Sequence, residues 1–502
     1  MSITAILAID EGTTGTRAGW VTGDGTVHDV EYRHLIVTSP RSGVVEQDAN
    51  EILDRTVEVC RAAIARAAEA NATIEAVSMA TQRSTAVLWD TETGRALVPA
   101  MVWQDSRYAD ELATMGESWD QKLVASVGRP AGVRSPYLWA AHHLRETSDV
   151  SAAYREGRLG FGTIETWLLW SLTAERSYVA TATNATSAGA YILADHAYEL
   201  GWIEALGFPT DLLPDLRQDA EMLGHTDAGK LGISVPVLAA VGDQHAGTVG
   251  LGSLSSGQAM CVHGTGSFVD LVTGGSLPAK TGLYPGTLTL TGWRRHHTSV
   301  YAVETFTATT GSALDWLCNT LGWFESAGAI SKMAATVDGS NGVIFVPALT
   351  GIRTPMVEPN ARASLSGLSM ASTMPEVAYA VLEGIAHSVA SSVEANAEVA
   401  GIAVTEIAVG GGMSVSDPLI QMQADLTGIP MRRLESSQTA SLRGAAFLAG
   451  ADGLLWNSLP EAVQSLGPSD LFEPRFGESE RLDRRAHWKA RIANELALAK
   501  HA

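Results

Sequence analysis

Two turns rich in glycine and threonine constrain the fold of this chain more than any other feature. The first lies in Asp10–Arg17, near the start, and the second lies in His263–Phe268, at mid-chain. Each adjoins a run of β-type apolar residues, since Ala5–Ile9 precedes the first turn and Val269–Val272 follows the second. This recurrence predicts a duplicated fold that holds one polyphosphate from two sides.

The residues of these turns suit phosphate binding. Glycine lets the backbone come close to an anion, and threonine hydroxyls and main-chain N–H groups donate hydrogen bonds to phosphate oxygens. Arg17 adds a charged, fork-shaped donor, whereas the carboxylate of Asp10 fits beside phosphates when Mg²⁺ lies between them. A Gly-Thr pair between strands is more often an ordinary hairpin, so this interpretation depends on the rest of the chain.

The composition indicates a folded protein of at least two domains. The chain has 502 residues, too many for one compact core, and 46% of them are hydrophobic. Its formal charge of -21 would repel the phosphates of nucleic acids and of anionic membranes. The sequence therefore predicts neither of these as a partner, while a bound nucleotide needs only a local positive site.

Cysteine usage and hydropathy favour a cytoplasmic protein. The three cysteines, Cys60, Cys261 and Cys318, are odd in number and lack metal-ligand spacing, which fits a reducing compartment. Asp10 interrupts the first apolar run, no basic segment precedes it, and no apolar run is long enough to span a bilayer. We therefore expect no targeting segment and a cytoplasmic location.

The order of predicted elements repeats between the two halves of the chain. In the first half, β-type segments lead into a helix over 49–70. In the second half, β-type runs over 259–303 lead into helices over 311–321 and 375–400. We place the boundary just after the apolar run Val237–Gly242, which ends in Asp243-Gln244, because ligands of α/β proteins favour strand ends and domain interfaces. The predicted domains are 1–245 and 246–502.

Taken together, the motifs resemble those of the FGGY carbohydrate kinases, and most closely the glycerol kinase branch of that family. The matching segments follow one another in the family's order and spacing over nearly the whole chain. They are Asp10–Arg17, Trp103-Gln104-Asp105, Gly162–Leu168, Gly242-Asp243-Gln244, Gly264-Thr265-Gly266, Phe345–Ala348, Ala363–Glu383 and Gly411-Gly412.

The resemblance implies an α/β fold of two actin-like, RNase-H-like domains with an active-site cleft between them. It also implies ATP, Mg²⁺ and a small polyol or sugar as ligands. Asp243 matches the family's general base, which takes the proton of the attacking hydroxyl. Phosphoryl transfer requires mainly positioning, charge neutralisation and such a carboxylate at the nucleophile, so the residue type fits the chemistry.

The nucleotide and metal contacts are also implied by the resemblance, residue by residue. The residues expected to hold Mg²⁺, through water, are Asp10 and Asp243. In Asp315 and Ser416 this chain departs from the family, which commonly has Gln and Asn there. The residues expected at the nucleotide are Thr13, Thr14, Arg17, Thr265, Gly266, Gly311, Asp315, Gly411, Gly412 and Ser416.

On the acceptor side, the resemblance implies Arg83, Ser84, Trp103, Asp243, Gln244 and Phe268. Glycerol kinases carry Glu where this chain has Ser84, and a shorter, neutral side chain there would leave room for a longer substrate. The spacing puts Val133 where those enzymes hold a substrate-facing Tyr. Tyr137 is the alternative by a register shift, or it is an aromatic residue packed on a helix.

These observations predict an ATP- and Mg²⁺-dependent kinase for a terminal hydroxyl, with glycerol as the first candidate substrate. A four- or five-carbon polyol or ketose remains the alternative, because Arg353-Thr354-Pro355 resembles the xylulose kinase pattern. An actin-like binding protein that closes on nucleotide without kinase activity is the alternative of another class. The sequence does not determine the oligomeric state, and a homo-oligomer is compatible with it.

Overall fold

The computed structural model describes residues 2–354 and 356–500, so Pro355 of the segment Arg353-Thr354-Pro355 lies outside the described residues. Contacts between Cα atoms divide the chain into two compact units. Unit 1 runs to Gly252 and also includes Leu290–Tyr301 and Thr439–Leu466. Unit 2 contains Ser253–Thr289, Ala302–Gln438 and the residues from Gly467 onward.

The strands, numbered in chain order, are β1 Ile3–Glu11, β2 Gly15–Val21, β3 Val27–His34, β4 Glu46–Gln47, β5 Ala72–Thr81, β6 Ala86–Asp90, β7 Arg95–Ala96, β8 Ala100–Met101, β9 Leu159–Thr163, β10 Val179–Thr181, β11 Tyr191–Ile192, β12 Ala197–Tyr198, β13 Asp215–Arg217, β14 Val237–Gly242, β15 Gln258–His263, β16 Ser267–Gly274, β17 Thr287–Arg295, β18 Thr298–Thr307, β19 Ile344–Val346, β20 Ser364–Ser366, β21 Glu406–Gly410, β22 Met431–Leu434 and β23 Ser469–Phe472.

The α-helices are α1 Ala49–Glu69, α2 Ala109–Val127, α3 Pro136–Glu146, α4 Ser148–Arg155, α5 Ile164–Leu172, α6 Ala182–Ala188, α7 Leu200–Ala205, α8 Ala228–Leu231, α9 Asp243–Gly250, α10 Gly311–Asp315, α11 Ala327–Ala334, α12 Met374–Ala400, α13 Asp417–Thr427, α14 Ala440–Gly450, α15 Leu459–Gln464 and α16 Glu478–Ala499. Short helical turns of other types cover Thr210–Leu212, Trp316–Thr320, Gly412–Val415 and Ser437–Thr439.

The main sheet of unit 1 has the strand order β14-β5-β1-β2-β3. Its central strand β1 pairs with β2 in antiparallel and with β5 in parallel orientation, and β5 is parallel to β14. Residues 5–11 of β1 are all buried, as expected for a strand covered on both faces. The register places Asp10 directly opposite Arg17, so the first Gly/Thr turn brings these two residues together.

The main sheet of unit 2 repeats this arrangement within the order β17-β18-β16-β15-β21-β22-β23. Strand β15 is antiparallel to β16 and parallel to β21, which is in turn parallel to β22. The second Gly/Thr turn joins β15 to β16, just as the first joins β1 to β2. The predicted α/β class and the predicted duplication are therefore confirmed.

Most of the predicted helices form close to the expected bounds. The expected helix over 49–70 is α1, with the carboxylate of Asp48 capping its first turn. The expected helix over 375–400 is α12, which begins with a capping box between Thr373 and Glu376. The helix expected over 311–321 is shorter, because regular α-helix ends at Asp315 and a π-helical turn follows.

The predicted boundary between domains 1–245 and 246–502 falls inside α9. This helix packs closely against α14 of the same unit, since a Cβ at Gly250 would lie 1.9 Å from the carbonyl oxygen of Ala440. A Cβ added at Gly444 would lie as close to the carbonyl oxygen of Ala246, at 1.8 Å. Only glycine allows two helix backbones to come so near, which explains why a segment distant in sequence belongs to unit 1.

None of the helices formed by residues 2–354 and 356–500 is long and apolar enough to cross a lipid bilayer.

Candidate active site

The first Gly/Thr turn carries an ion pair. Nε and Nη2 of Arg17 donate to Oδ2 of Asp10 at 2.8 and 2.6 Å. Asp10 is buried, with 7% of its side chain exposed, whereas 32% of the Arg17 side chain is exposed. The Arg17 side chain is therefore partly accessible from solvent, and the ion pair with Asp10 fixes the direction of its guanidinium.

The two threonines of this turn lie in different environments. The hydroxyl of Thr13 accepts a hydrogen bond from Nε1 of Trp103 at 2.7 Å and donates to Oε1 of Gln82 at 3.3 Å. Thr14 is exposed. The expected phosphate turn and the expected acceptor residue Trp103 are thus joined by a direct hydrogen bond.

Gln82 is the centre of a buried network that the sequence did not reveal. Its Nε2 donates to Oε1 of Glu11 at 3.3 Å and to Oε1 of Gln47 at 3.1 Å, and its Oε1 also accepts from Thr85 at 2.8 Å. Nε2 of Gln47 in turn donates to the carbonyl oxygen of Thr13 at 2.8 Å. The position of Gln82 next to Arg83 was the only signal that could have indicated its role.

Glu11 is a second residue that the sequence reading did not single out. It is fully buried at the end of β1, and burial raises the pKa of its carboxyl group well above the ordinary value. The nearby charges of Asp10 and Asp243 raise this pKa further, while the hydrogen bond from Gln82 opposes them.

Asp243 lies where β14 ends and α9 begins, as the sequence predicts. Its Oδ1 is 3.7 Å from Nε of Arg83, and 24% of its side chain is exposed. Nη1 of Arg83 lies 3.3 Å from Nε2 of His245; a guanidinium can only donate, so this ring nitrogen accepts. Burial and the charge of Arg83 hold the pKa of His245 well below its usual value, so the ring stays neutral.

Gln244 follows Asp243, and its backbone N–H donates to Oδ1 of Asp243 at 2.8 Å. This bond fixes the carboxylate at the first turn of α9, where helix N–H groups stabilise negative charge. The structure therefore brings together an oriented, partly exposed carboxylate and a guanidinium. Such a pair can hold a hydroxyl group and accept its proton.

The hydroxyl of Ser84 is directed to the protein's own backbone. Ser84 is buried with a φ of 64°, a conformation uncommon outside glycine. Its Oγ donates to the carbonyl oxygen of Ser187 at 2.7 Å, and Nη1 of Arg129 donates to the same oxygen at 3.0 Å. Nothing in the sequence around Ser84 predicts this backbone contact.

Trp103, Val133 and Tyr137 differ in how deeply they are buried. The indole of Trp103 is half-buried, and Cζ of Arg134 lies 5.8 Å from the centre of its ring. Val133 is exposed. Tyr137 is 3% exposed and packs in the hydrophobic core against Phe161 and Phe208, as expected of an aromatic residue packed on a helix.

In unit 2, the second Gly/Thr turn packs against the start of α10 through main-chain atoms. The carbonyl oxygen of Thr265 accepts from the N–H groups of Thr310 and Ser312 at 3.2 and 3.0 Å. The N–H of Gly311 donates to the carbonyl oxygen of Gly264 at 3.2 Å, and a Cβ at Gly311 would lie 2.4 Å from that oxygen. The fold therefore brings the expected nucleotide residues of this turn and of α10 together.

Gly411 joins the same cluster from the end of β21. It has a φ of +84°, and a Cβ there would lie 2.2 Å from the carbonyl oxygen of His263. Gly412 beside it is open, since an added Cβ would meet no atom within 4 Å. Ser416 begins α13, and its hydroxyl lies 2.8 Å from that of Ser331.

Two further expected residues of unit 2 are Phe268 and Asp315. Phe268, in β16, packs against Phe306 with ring centres 4.5 Å apart. Asp315 is exposed at the last position of α10. Their predicted roles at the acceptor and at the nucleotide remain predictions.

A Gly/Thr turn after the first strand of each duplicated sheet, and an oriented carboxylate beside a guanidinium, suit an enzyme that transfers a phosphoryl group to a hydroxyl. Comparison with known families agrees. The N-terminal domain of the FGGY family of carbohydrate kinases matches residues 5–250, and its C-terminal domain matches residues 259–452. The chain belongs to this family and is a sugar or polyol kinase. This assignment excludes the alternative of an actin-like binding protein without kinase activity.

Similar proteins cover the full length of the chain. It is 32% identical over 495 residues to a glycerol kinase of Deinococcus radiodurans, with 97% of each protein covered. It is 34% identical over 502 residues to a glycerol kinase of Geobacter sp. strain M21, with 99% of each covered. The crystal structure of Plasmodium falciparum glycerol kinase with ADP shares the fold, with a TM-score of 0.91 at 23% identity and 99% of both chains covered.

Proposed function

We propose that this protein transfers the γ-phosphate of ATP to a terminal hydroxyl of a small polyol, with glycerol as the first substrate and glycerol 3-phosphate as the product. The single observation that carries the proposal is the partly exposed carboxylate of Asp243, 3.7 Å from the guanidinium of Arg83. The relatives named glycerol kinase, 32% and 34% identical over nearly the whole chain, support glycerol among the polyols.

The proposed reaction follows from these two side chains. Arg83 donates hydrogen bonds to hydroxyl oxygens of the acceptor and holds one hydroxyl beside Asp243. As that oxygen attacks the γ-phosphorus, its proton passes to the Asp243 carboxylate, the bond to the β-phosphate oxygen breaks and ADP leaves. Trp103 supplies an apolar wall for the carbon chain, and Gln244 and Phe268 complete the proposed acceptor set.

The proposed nucleotide contacts divide by chemistry. Unit 1 offers the partly accessible side chain of Arg17 and the turn at Thr13 and Thr14. Unit 2 offers main-chain surface at Thr265, Gly266 and Gly311, and open space over Gly412, where a flat base can lie against backbone. Gly411, Asp315 and Ser416 complete the proposed nucleoside side.

We also propose Mg²⁺ as the metal, held by Asp10 and Asp243. Residues 2–354 and 356–500 contain no group of three or more His, Cys, Asp or Glu side chains arranged as a metal site. Mg²⁺ commonly binds through one or two carboxylates together with water and substrate phosphates, so the pair of carboxylates fits it. When bound, the metal would neutralise charge on the phosphates.

A four- or five-carbon polyol or ketose is the second candidate substrate. The observation that favours it is that the Ser84 hydroxyl is engaged by the carbonyl oxygen of Ser187. Together with the small side chain of Val133, this offers an acceptor less side-chain contact than glutamate and tyrosine would. The position phosphorylated would again be a terminal hydroxyl.

We propose a cytoplasmic location as well. Cys60 and Cys261 are buried, and the three cysteines, all within the described residues, are present as free thiols. Burial also raises the pKa of Cys60 to about 12, so this thiol stays protonated and unreactive. Thiols of this kind are compatible with a reducing compartment.

Release of ADP from Mg-ATP by the purified protein tests the proposal. The acceptors are glycerol, erythritol, threitol, pentitols, tetruloses and pentuloses, and the Asp243→Asn variant serves as the control. We expect ADP release with glycerol that the variant lacks. Release with a four- or five-carbon acceptor but not with glycerol would favour the second candidate, and release that is equal in the variant would overturn the role of Asp243.

A further inference from the structure

Helix α6 is short, fully buried and rich in polar side chains. All seven of its residues, Ala182–Ala188, are buried. A buried hydroxyl or amide destabilises a fold unless it is hydrogen-bonded, so the partners of such side chains report what the helix does. Both ends of α6 contact residues that adjoin the proposed active site in unit 1, namely Gly242 and Ser84.

At the N-terminal end, Thr183 is held by a buried carboxylate. The hydroxyl and the backbone N–H of Thr183 both donate to Oδ1 of Asp219, at 2.6 and 2.9 Å. The other oxygen, Oδ2, accepts from the backbone N–H of Arg294 at 2.7 Å. Burial raises the pKa of Asp219 to about 6, and these donors oppose the rise. With three donors around it, the carboxyl group is suited to its ionised form near neutral pH.

The same hydroxyl also contacts the end of β14, next to Asp243. Because its proton is donated to Asp219, Oγ1 of Thr183 is left as an acceptor, and the backbone N–H of Gly242 donates to it at 2.9 Å. Gly242 immediately precedes Asp243 and is the N-cap of α9. A chain of two hydrogen bonds therefore runs from the buried Asp219 to the backbone N–H of Gly242, the residue before Asp243.

The C-terminal end of α6 contacts Ser84. The carbonyl oxygen of Ser187 accepts from Oγ of Ser84 at 2.7 Å, and Ser84 follows Arg83. One rigid helix therefore contacts the residue before Asp243 and the residue after Arg83. This arrangement fixes the separation of the two groups whose nearest charged atoms are 3.7 Å apart.

We propose that Thr183, anchored by Asp219, is a positioning residue that holds Asp243 in place for proton transfer. The proposal rests on the proposed function, because it assumes that Asp243 accepts the proton. A displacement of a catalytic group by about 1 Å can lower a rate about 100-fold, so a bond that fixes the residue before it affects turnover more than ligand binding.

Three variants on α6 test the proposal. Thr183→Val keeps the shape but removes the hydroxyl, and Thr183→Ser keeps the hydroxyl. Thr186→Val is the matched control, because the hydroxyl of Thr186 is buried on the same helix without a hydrogen-bond partner in the described part of the chain. For Thr183→Val we expect kcat to fall about 10- to 100-fold, with the Kd of ADP and the KM of the acceptor within about threefold of wild type.

Thr183→Ser should recover kcat to within about threefold of wild type, and Thr186→Val should leave kcat unchanged within about twofold. A kcat for Thr183→Val equal to that of Thr186→Val would overturn the proposal. If Thr183→Val does not fold, Thr183→Ser and Thr183→Ala form a second pair, because both lack the γ-methyl group and they differ in the hydroxyl. Equal kcat values in that pair would also overturn it.

Asp243→Asn separates this proposal from the proposed function. If Asp243→Asn keeps full turnover, the assignment of the proton acceptor fails, and the role of Thr183 fails with it. If Asp243→Asn abolishes turnover while Thr183→Val does not lower kcat, only the positioning role fails. Loss of turnover in the first and a lowered kcat in the second support both.

Discussion

The two units repeat one sheet arrangement but fix their Gly/Thr turns with different atoms. In unit 1, side chains are fixed by other side chains, as in the ion pair of Asp10 with Arg17 and the bond between Thr13 and Trp103. In unit 2, the Gly/Thr turn is fixed by main-chain bonds from residues 310–312, by a hydroxyl bond from Ser267 to Thr310 and by close approach at Gly411. The same fold therefore carries charged side chains at one turn, and neutral hydroxyls with backbone groups at the other.

This difference fits the two ligands of the proposed reaction. An acceptor hydroxyl must be held and deprotonated, which requires a carboxylate and a guanidinium at defined positions. A nucleotide offers flat and anionic surfaces that backbone amides and glycines can meet without side chains. Substitutions in unit 1 should therefore change turnover and acceptor use, whereas substitutions at the glycines of unit 2 should change folding and nucleotide binding.

Gly411→Ala should have the largest effect on stability, and it should appear in unit 2. The added Cβ would lie 2.2 Å from the carbonyl oxygen of His263 at a φ of +84°, so backbone must shift. We expect a loss of about 3 kcal/mol in unfolding free energy, by denaturant titration, together with weaker ADP binding. Gly412→Ala is the control: its Cβ meets no atom, so stability should hold while ADP binding still weakens. Equal stability of the two variants would contradict the close packing at Gly411.

Arg83→Gln should mainly affect the acceptor. It removes the charge 3.7 Å from Asp243 and the donor to His245. Loss of a hydrogen bond to a charged group costs about 2 kcal/mol, so kcat/KM for the acceptor should fall roughly 30-fold. Steady-state kinetics and ADP titration measure the two ligands separately. A variant that weakens ADP binding and leaves the acceptor KM unchanged would break the division between the units.

Stability should depend on pH through a buried carboxyl group of unit 1. Burial raises the pKa of Glu165 from 4.5 to about 7, ahead of the opposing bonds from Thr181 and Asn184. A folded-state pKa above the unfolded value means that this stabilisation is present below pH 4.5 and is lost as pH rises to about 7. Between pH 5 and 7 we expect wild type to lose about 1–2 kcal/mol of unfolding free energy relative to Glu165→Gln.

The buried His263 of unit 2 acts in the opposite direction. Burial lowers its pKa to about 4, so its contribution to stability is lost as pH falls from 6.5 toward that value. Denaturant titrations at several pH values separate the two residues. If Glu165→Gln leaves the pH dependence between 5 and 7 unchanged, the carboxyl group of Glu165 is not the source.

Trp103→Phe should have the smallest effect of these. It keeps an apolar wall but removes the donor to the hydroxyl of Thr13. A neutral hydrogen bond contributes about 1 kcal/mol, so we expect kcat/KM to fall about fivefold. The matched change Trp119→Phe, at a tryptophan packed on Trp202 away from the turn, should leave kinetics unchanged. A similar loss in both variants would indicate general loosening of unit 1.

The fold was predictable from sequence because its signals are local. Apolar runs beside the Gly/Thr turns mark the strands β1 and β16 of the two main sheets. The strand end at Gly242 also predicted the position of Asp243. Residues 290–301 and 439–466, which belong to unit 1, were not predictable, because the close approach of Gly250 and Ala440 is visible only in three dimensions.

The site was predictable in part. Residue types at the two turns and at Asp243 carry a recognisable pattern of charge and glycine. Gln82 and Thr183 act through hydrogen bonds to residues distant in the chain, and neither residue type is distinctive. The direction of the Ser84 hydroxyl depends on a φ of 64° and on the position of Ser187, which no local sequence signal gives.

The most direct test of the account compares turnover and nucleotide binding in the Asp243→Asn variant. Calorimetric titration with ADP and an ADP-release assay with glycerol, on the same preparation, measure the two properties independently. The account predicts ADP affinity within about twofold of wild type and a loss of turnover of at least about 1000-fold. Undiminished turnover, or turnover and ADP affinity lost together, would contradict the division of the site into a catalytic unit 1 and a nucleotide-binding unit 2.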